Sequence, residues 1–435
     1  MLTNKFEIAT NNIREKAVSI IEAGLLSINI YNQVNKKIKL IGDTLFILGG
    51  RYNLKDYNRV FLVAFGKGSS DFAVSVGNIL SWRLAGGIAL DIKKPNIPIL
   101  ETSPDIDFLI GTHPLPSSLN VVATRRIENL VERLDKRDLL IVLITGGGSS
   151  LLCSSPDEMQ DSILIIKNMS RMGAPIEELN IVRKHLSDLK GGGLARLAYP
   201  ATVLSLIACD VCGEDLVDSH LSLVASGPTM FDKSSLKEVE KILGKYGLVS
   251  HNFNLRETPK EPMYFDKVKN ILFACNQDAL TPMMEKAHEL GLASSLVSST
   301  ISGEARDILI PLISKVKKGE VLVMGGETVV NVKGNGVGGR NMEAVLGGLQ
   351  YIKKNMDFED DWLICSIASD GIDNTESAGA LADFEIEKIV RQHNIDLSDF
   401  LKRNDSFTFF KGVGGLLYAE KTSFNVADLM FVMRV

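Results

Sequence analysis

Two glycine-rich segments follow runs of apolar residues, and both combine glycine with residues that can bind an anion. The run at 59–65 is followed by GKGSS at 66–70, and the run at 139–145 is followed by GGGSS at 146–150. Backbone N–H groups at such turns can cradle a phosphate or carboxylate, although glycines can also serve only to turn the chain tightly. The predicted anion-binding residues of the two segments are Gly66, Gly68, Ser69, Gly147, Gly148, Ser149 and Ser150.

Three cations stand beside glycine runs. Lys67 lies between two glycines, Lys190 precedes the glycines at 191–193, and Arg340 ends the stretch GNGVGGR at 334–340. Cations in such places can stabilise the negative charge that a phosphoryl transfer spreads over oxygen atoms. They can also be ordinary solvated surface residues, a reading that their glycine neighbours make less favourable. We predict catalytic roles for Lys67 and Arg340, and binding roles for Lys190 and Asn341.

Carboxylates follow other apolar runs. Asp210 comes after VLSLIAC, Glu327 after VLVMGG, and Asp370 with Asp373 lies in ASDGIDN. Carboxylate oxygens suit Mg²⁺, which commonly bridges a protein carboxylate and substrate phosphates, although acidic residues also cap helices and close turns. We predict Asp210 as a catalytic residue and metal ligand, Asp370 as a metal ligand, and Glu327 as a binding residue.

Several familiar motifs are missing from the sequence. The glycine segments match neither the GxxxxGK[ST] phosphate-binding loop nor the GxGxxG dinucleotide fingerprint. Ser149 and Ser150 lack the GxSxG context of a hydrolase nucleophile. His113 and His185 are either site residues or loop and core histidines.

The spacing of apolar residues predicts an α/β fold. Residues 5–30 show helical spacing, whereas 59–65, 139–145 and 203–210 are short continuous apolar runs separated by helical segments. Strands that are apolar on both faces indicate a parallel sheet covered by helices on both sides. We therefore expect a Rossmann-like, doubly wound parallel sheet in the first half of the chain.

The second half repeats the alternation of strands and helices. A polar stretch between about 229 and 268 precedes the apolar runs at 271–276, 321–328 and 362–370, with a helix from 340 to 354. We predict an N-terminal domain over 1–250 and a second α/β domain over 251–435, with the last residues able to pack back on the first domain.

Composition limits the class of protein. The 435 residues are 23% charged and 45% hydrophobic, with a net charge of −5 and no basic block, which argues against disorder and nucleic-acid binding. No signal peptide and no apolar run near the roughly 20 residues of a membrane span is present. The five cysteines include Cys209 and Cys212 in CxxC spacing, but no second ligand pair completes a zinc site. We expect a cytoplasmic, membrane-free protein.

Taken together and in order, several motifs resemble the glycerate 2-kinase family, whose C-terminal half is known as the MOFRL domain. The similarity covers nearly the whole chain. The motifs are VAFGKGS around Lys67, HPLP at 113–116, TGGGSSLL at 145–152, RKHLSDLKGGGLA at 183–195, CDVCGEDL from Cys209, ASGPT ending at Thr229, GGET at 325–328, GVGGRNMEA at 336–344 and SDGIDN at 369–374.

The resemblance implies two α/β domains enclosing a cleft. It also implies transfer of the γ-phosphoryl group of ATP to the 2-hydroxyl of D-glycerate, with Mg²⁺ or another divalent cation. On this basis Lys67 and Arg340 form the essential cationic pair, and the Ser149 loop, Lys190, Asp210 and Asp370 line the site. A homodimer is possible.

The chain departs from the family pattern at several positions. HPLPSS replaces HPVPDE, Met342 replaces a glutamine, Asn374 replaces a glycine, and AEKTSFNV at 419–426 has lost the glycines and proline of TGPTGTNV. These changes leave open a kinase of another small sugar acid or a non-catalytic metabolite-binding relative. Hydroxypyruvate reduction, the family's former assignment, is a further alternative that the missing dinucleotide fingerprint does not support.

Overall fold

A computed structural model of the chain describes residues 1–100, 105–210, 220–356, 361–422 and 424–435. The described residues form two compact units. The first unit comprises Ile30–Cys209 and the described residues up to Phe273, and the second comprises Met1–Asn29, Asp210 and Ala274–Val435.

The helices and strands alternate over most of the described chain. The helices are α1 Lys5–Ile8, α2 Asn12–Ser27, α3 Ile30–Lys37, α4 Ser69–Leu80, α5 Ser118–Val131, α6 Gly148–Leu151, α7 Pro156–Arg171, α8 Ile176–Leu186, α9 Gly193–Ala198, α10 Leu236–Lys245, α11 Gln277–Glu289, α12 Ile310–Ile313, α13 Arg340–Asn355, α14 Phe384–Gln392, α15 Leu397–Arg403 and α16 Ser406–Val413. The strands are β1 Ile38–Ile41, β2 Thr44–Ile47, β3 Gly50–Asn53, β4 Arg59–Phe65, β5 Leu84–Asp91, β6 Ile106–Ile110, β7 Asp138–Ile144, β8 Thr202–Ala208, β9 Val268–Ala274, β10 Ala293–Ile301, β11 Glu320–Gly326, β12 Trp362–Ala368, β13 Gly379–Asp383, β14 Leu416–Leu417 and β15 Asp428–Arg434.

The first unit is built on a six-stranded sheet with the order β6-β5-β4-β7-β8-β9. Strand β4 is parallel to both β5 and β7, and β7 is parallel to β8. The chain adds β5 and β6 on one side of β4 and then β7, β8 and β9 on its other side, which is the doubly wound arrangement. The predicted α/β fold class, with its parallel sheet, is confirmed. A small antiparallel sheet of β1, β2 and β3 also belongs to this unit, although no pattern in the sequence had indicated it.

The second unit contains a six-stranded mixed sheet with the order β10-β11-β15-β12-β13-β14. The last strand of the chain, β15, lies between β11 and β12 and is antiparallel to both. We expected the last residues to be able to pack back on the first domain. They instead form a central strand of the second sheet, because DLMFVMR is apolar enough to be buried on both faces.

The division of the chain differs from the expected boundary at 250/251. Strand β9 is an edge strand of the first sheet, and the Phe273 ring at its end packs on Phe72 with centroids 4.8 Å apart. Residues 1–29 belong to the second unit, where α2 packs against α11 and Arg14 donates to the buried Asp383 over 2.7 Å. These long-range contacts place the boundary at 273/274.

Within the described ranges, no helix combines the length and apolar character that a membrane crossing requires. The four described cysteines, Cys153, Cys209, Cys275 and Cys365, are buried. Cys212 and the rest of the segment 211–219 lie outside the described residues.

Candidate active site

Both predicted glycine segments of the first unit lie at the point where the winding of its sheet reverses. In doubly wound sheets, ligands bind beyond the carboxyl ends of the strands at this position. The turns after β4 and β7 are in contact, because Lys67 N donates to Gly146 O over 2.8 Å and Thr145 Oγ1 donates to Lys67 O over 2.9 Å. The topology therefore brings the two segments together, as their positions after strands suggested.

The first turn binds a carboxylate of the protein itself. Asp91, which is buried at the end of β5, accepts hydrogen bonds from Ser70 N at 2.9 Å and Gly68 N at 3.3 Å. Burial raises the pKa of Asp91, and these backbone donors work against that rise. The N-terminus of α4 is thus occupied at the place where dinucleotide-binding folds hold a pyrophosphate.

The other predicted residues of this turn have structural roles. Ser69 is fully buried and donates to Leu90 O over 2.9 Å. Gly66 has a φ of 122°, and a Cβ there would lie 2.1 Å from Thr145 Oγ1, so only glycine permits the close approach of the two turns. The structure leaves the Lys67 side chain as the part of this turn that can reach a ligand.

Lys67, His113 and Gly147 border one space. A Cβ placed on Gly147, which has a φ of 80°, would lie 3.0 Å from His113 Cδ2 and 3.2 Å from Lys67 Cγ. Gly148 lies away from this space, because a Cβ there would lie 2.7 Å from the Cβ of Ala225. The glycine at 147 therefore keeps open the space between a cation and an imidazole.

Hydroxyl groups connect the second turn to helix α8. Ser226 Oγ donates to Asn180 Oδ1 over 2.8 Å, so its oxygen accepts from Ser149 Oγ, 2.9 Å away. Because its proton is used in this way, the Ser149 hydroxyl does not donate to a ligand in this arrangement. Among the residues that the structure describes, however, no acceptor is found for the backbone N–H groups of Gly147 and Ser149. Those two groups are the donors that the loop offers to an anion.

Ser150 positions a neighbouring segment instead of facing the space beside Gly147. Its hydroxyl donates to Pro114 O over 2.6 Å, and its carbonyl accepts from Asn120 Nδ2 over 2.9 Å. These bonds fix the chain that carries His113.

Arg183 is a cation of this site that the sequence reasoning missed. It lies on the same face of α8 as Asn180, three residues earlier. Burial lowers the pKa of Arg183 to about 10, and no carboxylate of the described chain counteracts this effect. The only signal in the sequence was its place in the RKHLSDLKGGGLA motif.

The charges of this site are unbalanced. The pKa of His113 is lowered by burial and then by the positive charges of Lys67 and Arg183. No ion pair of Lys67 is present within the described ranges. We call Lys67, His113, Arg183, Gly147 and Ser149 the Lys67 site. It is a half-buried, positively charged space with a neutral imidazole, which suits an anion and can accept a proton.

We expect anion binding at the Lys67 site to strengthen at low pH. A bound dianion offsets the positive charges of Lys67 and Arg183, which lower the pKa of His113. The anion therefore raises that pKa, and His113 takes up a proton when the anion binds at low pH. Sulfate is a suitable probe because it stays a dianion between pH 5.5 and pH 8. Calorimetric titration should show a higher affinity at pH 5.5 than at pH 8. His113→Gln should remove the pH dependence, whereas an equal dependence in that variant would contradict the assignment.

Lys190 does not belong to the Lys67 site. It is 2% exposed, and its ammonium group donates to Glu158 Oε1 over 2.5 Å. Glu158 also accepts from the backbone N–H and the hydroxyl of Ser154. Our prediction of a ligand-binding Lys190 is therefore corrected to a buried ion pair, because the carboxylate of Glu158 compensates the burial of its ammonium group.

Arg340 opens helix α13 in the second unit and is held by two carboxylates. Its Nε and Nη2 donate to the two oxygens of Asp428 over 2.6 and 3.1 Å, and Nη1 donates to Glu327. Although burial works in the opposite direction, Asp428 and Glu327 raise the pKa of Arg340. Burial raises the pKa of Asp428 to about 7 even beside Arg340. Asp428 is 1% exposed and Glu327 is 51% exposed, so one partner is fixed and the other faces solvent.

Asn341 orients this pair from inside the protein. Its amide nitrogen donates to Asp428 Oδ1 over 3.0 Å, and its oxygen accepts from Ser366 Oγ over 2.5 Å. Asp373 accepts from the backbone N–H groups of Asn341 and Met342, and burial raises the pKa of Asp373. Because Asn341 is fully buried, we correct its predicted role from ligand to positioning residue.

The predicted metal ligands lie at strand ends, as expected. Asp370 follows β12 and accepts from Ile372 N over 3.1 Å, while Thr422 N donates to its carbonyl oxygen over 2.9 Å. The divergent loop at 419–426 thus packs on the turn that carries Asp370. Asp210 follows β8 and is half-buried, and the residues after it fall in the undescribed segment 211–219. The described residues contain no group of three acidic, histidine or cysteine side chains able to hold a metal.

Comparison with known proteins gives matches along nearly the whole chain. Residues 16–257 match the model of a domain of unknown function, DUF4147, and residues 320–428 match the MOFRL family. A D-glycerate 2-kinase of Thermotoga maritima is 33% identical over 86% of this chain and 90% of its own length. A glycerate 2-kinase of Picrophilus torridus is 32% identical over 99% of this chain and 98% of its own length. The crystal structure of a glycerate kinase from Thermotoga maritima has a TM-score of 0.82 at 29% identity, covering 97% of this chain and 99% of that one.

Proposed function

The chain belongs to the glycerate 2-kinase family, and from this membership we propose that it phosphorylates D-glycerate at the 2-hydroxyl with ATP. In this reaction the 2-hydroxyl oxygen forms a bond to the γ-phosphorus. The bond from that phosphorus to the β–γ bridging oxygen breaks, ADP leaves, and the hydroxyl proton passes to a base or to water. The products are 2-phospho-D-glycerate and ADP.

The observation that carries this proposal is the unbalanced positive charge of the Lys67 site. Both substrates are anions, and a phosphoryl transfer places more negative charge on the leaving ADP. We assign Lys67 and Arg183 to the glycerate carboxylate or to the transferred phosphoryl group. The N–H groups of Gly147 and Ser149 add donors that need no reorientation during the reaction. His113, whose pKa is lowered by burial and by its cationic neighbours, is positioned to accept a proton.

Arg340 acts in this proposal as a pre-oriented cation. The bidentate bond to Asp428 fixes the guanidinium, and the exposed Glu327 holds the Nη1 side. A phosphoryl oxygen can replace the Glu327 carboxylate at that side, whereas it cannot displace Asp428 from the interior. Arg340 would then stabilise negative charge in the transition state, with Asp428 and Asn341 as positioning residues.

Magnesium enters this proposal with the nucleotide. Mg²⁺ that is bound to nucleotide phosphates takes only one or two carboxylates from a protein, so a preformed cluster is not required. The half-buried carboxylates of Asp210 and Asp370 fit that requirement, and we propose them as its ligands. The ion would neutralise charge on the phosphate oxygens during transfer.

Hydroxypyruvate reduction finds no support in the first unit. Its sheet has the order of dinucleotide-binding folds, but Asp91 occupies the helix N-terminus where the pyrophosphate of such a cofactor would bind. A negative charge at that place would repel a pyrophosphate. We therefore keep the kinase reaction as the proposed function.

The test is an ATP assay with D-glycerate and Mg²⁺, coupled through enolase without phosphoglycerate mutase. Enolase accepts only the 2-phosphate, so a signal would establish both the reaction and the position that is phosphorylated. Release of ADP without an enolase signal would move the acceptor to another hydroxyl or another sugar acid. No release of ADP, together with binding of ATP by calorimetry, would instead support a metabolite-binding relative.

Two further features belong to the proposal. The buried thiols of Cys153 and Cys365 fit the reducing cytoplasm, where we place the enzyme. A homodimer, which the sequence left possible, stays a prediction.

A further inference from the structure

A cavity of about 760 Å³ in the first unit is formed without any residue of the Lys67 site. Its walls come from residues 229–234 and 268–270, together with Phe265, Lys184 and Ser222. Volumes in this range hold small organic ligands. The mechanism above makes no use of this space.

The mouth of the cavity carries uncompensated positive charge. Lys233 and Lys269 are exposed, and neither has a carboxylate partner in the part of the chain that the structure describes, although Lys269 Nζ lies 5.6 Å from the centroid of the Tyr52 ring. The one acidic residue among those lining the cavity, Asp232, is already neutralised, since Lys184 donates to it over 3.0 Å. The described lining therefore has a net charge of two positive units, which matches a phosphate dianion.

Two aromatic rings form one wall. Phe231 and Phe265 are in edge contact, with centroids 5.3 Å apart and planes at 80°. Phe231 is 44% exposed, so part of its ring is accessible from the cavity. An exposed ring held by a second ring offers a face on which a planar group can stack.

The polar part of the wall is fixed in advance. Thr229 Oγ1 is hydrogen-bonded to Ser205 Oγ at 3.0 Å and to Asn270 Oδ1 at 2.6 Å, and Asn270 Nδ2 donates to Thr229 O over 3.1 Å. Ser234 Oγ and Thr258 Oγ1 likewise donate to Asp232. Because these groups already satisfy each other, a ligand would meet a rigid wall and little ordering would be required.

We propose that this cavity is a second ligand site, which binds an organic phosphate that carries a planar ring. Lys233 and Lys269 hold the phosphate, and the ring stacks on Phe231. A nucleoside monophosphate is the simplest molecule of this class, and AMP is therefore the probe.

The experiment is calorimetric titration of the full chain with AMP. Lys233→Ala combined with Lys269→Ala should weaken AMP binding by about tenfold or more, as expected for the loss of two phosphate contacts. Lys237→Ala combined with Lys241→Ala is the matched control, because these exposed lysines lie on α10 outside the cavity, and it should bind AMP as the wild type does. Lys67→Ala should also leave AMP binding unchanged.

Phe231→Ala tests the contribution of the ring to AMP binding separately from that of the two lysines. It should weaken AMP while leaving the binding of inorganic phosphate in the cavity unchanged. Failure of the wild type to bind AMP would overturn the proposal, as would unchanged affinity in the Lys233 and Lys269 variant. Weakening of AMP binding by Lys67→Ala would also overturn it, since the nucleotide would then occupy the Lys67 site.

Discussion

Replacing Lys67 by alanine is expected to lower kcat/KM for D-glycerate by about 10²- to 10³-fold, the range found when one transition-state charge contact is removed. The folded state should be unaffected, because no carboxylate of the described chain depends on this ammonium group. Steady-state kinetics and the melting temperature are the two measurements. Arg183→Ala should behave in the same way, since burial without a partner makes Arg183 a cost to the fold rather than a support.

A matched control for Lys67 is Lys136→Ala, which removes an exposed lysine of the same unit. This variant should retain the kinetics of the wild type. If Lys67→Ala, correctly folded, also retained them, the assignment of the Lys67 site would be wrong. If Lys67→Ala lost activity only through a lower melting temperature, the residue would be structural.

Replacing Arg340 by alanine should abolish activity and also destabilise the protein. Asp428 would lose the partner that compensates its burial, and breaking one side of a buried ion pair costs about 3–5 kcal/mol. The Lys67 variant should differ in this respect, because Arg340 holds a buried carboxylate whereas Lys67 holds none. Urea unfolding monitored by circular dichroism measures the loss.

The destabilisation should depend on pH in a stated direction. Burial already raises the pKa of Asp428 to about 7, and removal of Arg340 removes the main opposing interaction, so the pKa rises further. A carboxyl group whose pKa is higher in the folded state than in the unfolded state binds a proton on folding. The free energy of unfolding therefore falls as the pH rises and that proton is lost. The variant should therefore be closer to the wild type in stability at pH 5 than at pH 8.

Two comparisons make this result specific. Adding Asp428→Asn to Arg340→Ala should restore part of the stability and remove the pH dependence, but not the activity. Arg391→Ala, which removes an exposed arginine that pairs with Glu387 along one helix, should change the unfolding free energy by less than about 1 kcal/mol. An Arg340→Ala protein as stable as the wild type at pH 8 would show that Asp428 does not need this partner.

Some features of the site were readable from the residues alone. Lys67 stands between glycines after an apolar run, and Arg340 stands at a helix start after a glycine-rich stretch. Such local patterns indicate where a strand or helix ends, because a buried strand requires consecutive apolar residues and a tight turn requires glycine. The strand ends, the α/β class and the family motifs follow from patterns of this kind.

Other assignments depended on partners that are distant in the sequence. Lys190 has glycine neighbours like those of Lys67, yet Glu158, 32 residues away, makes it half of a buried pair. The GKGSS turn resembles an anion cradle, but its donors go to Asp91. Nothing next to either segment in the sequence distinguishes a turn that binds a ligand from one that binds its own chain.

The sequence by itself determined the family, the α/β class and the glycine turns with their two principal cations, since these depend on residue type and short-range spacing. Tertiary structure alone decided that Arg183 completes the Lys67 site, that Asp428 fixes Arg340, and that the last strand enters the middle of the second sheet. The physical reason is that burial and charge pairing depend on which segments meet in space, and those contacts join residues that leave no local pattern.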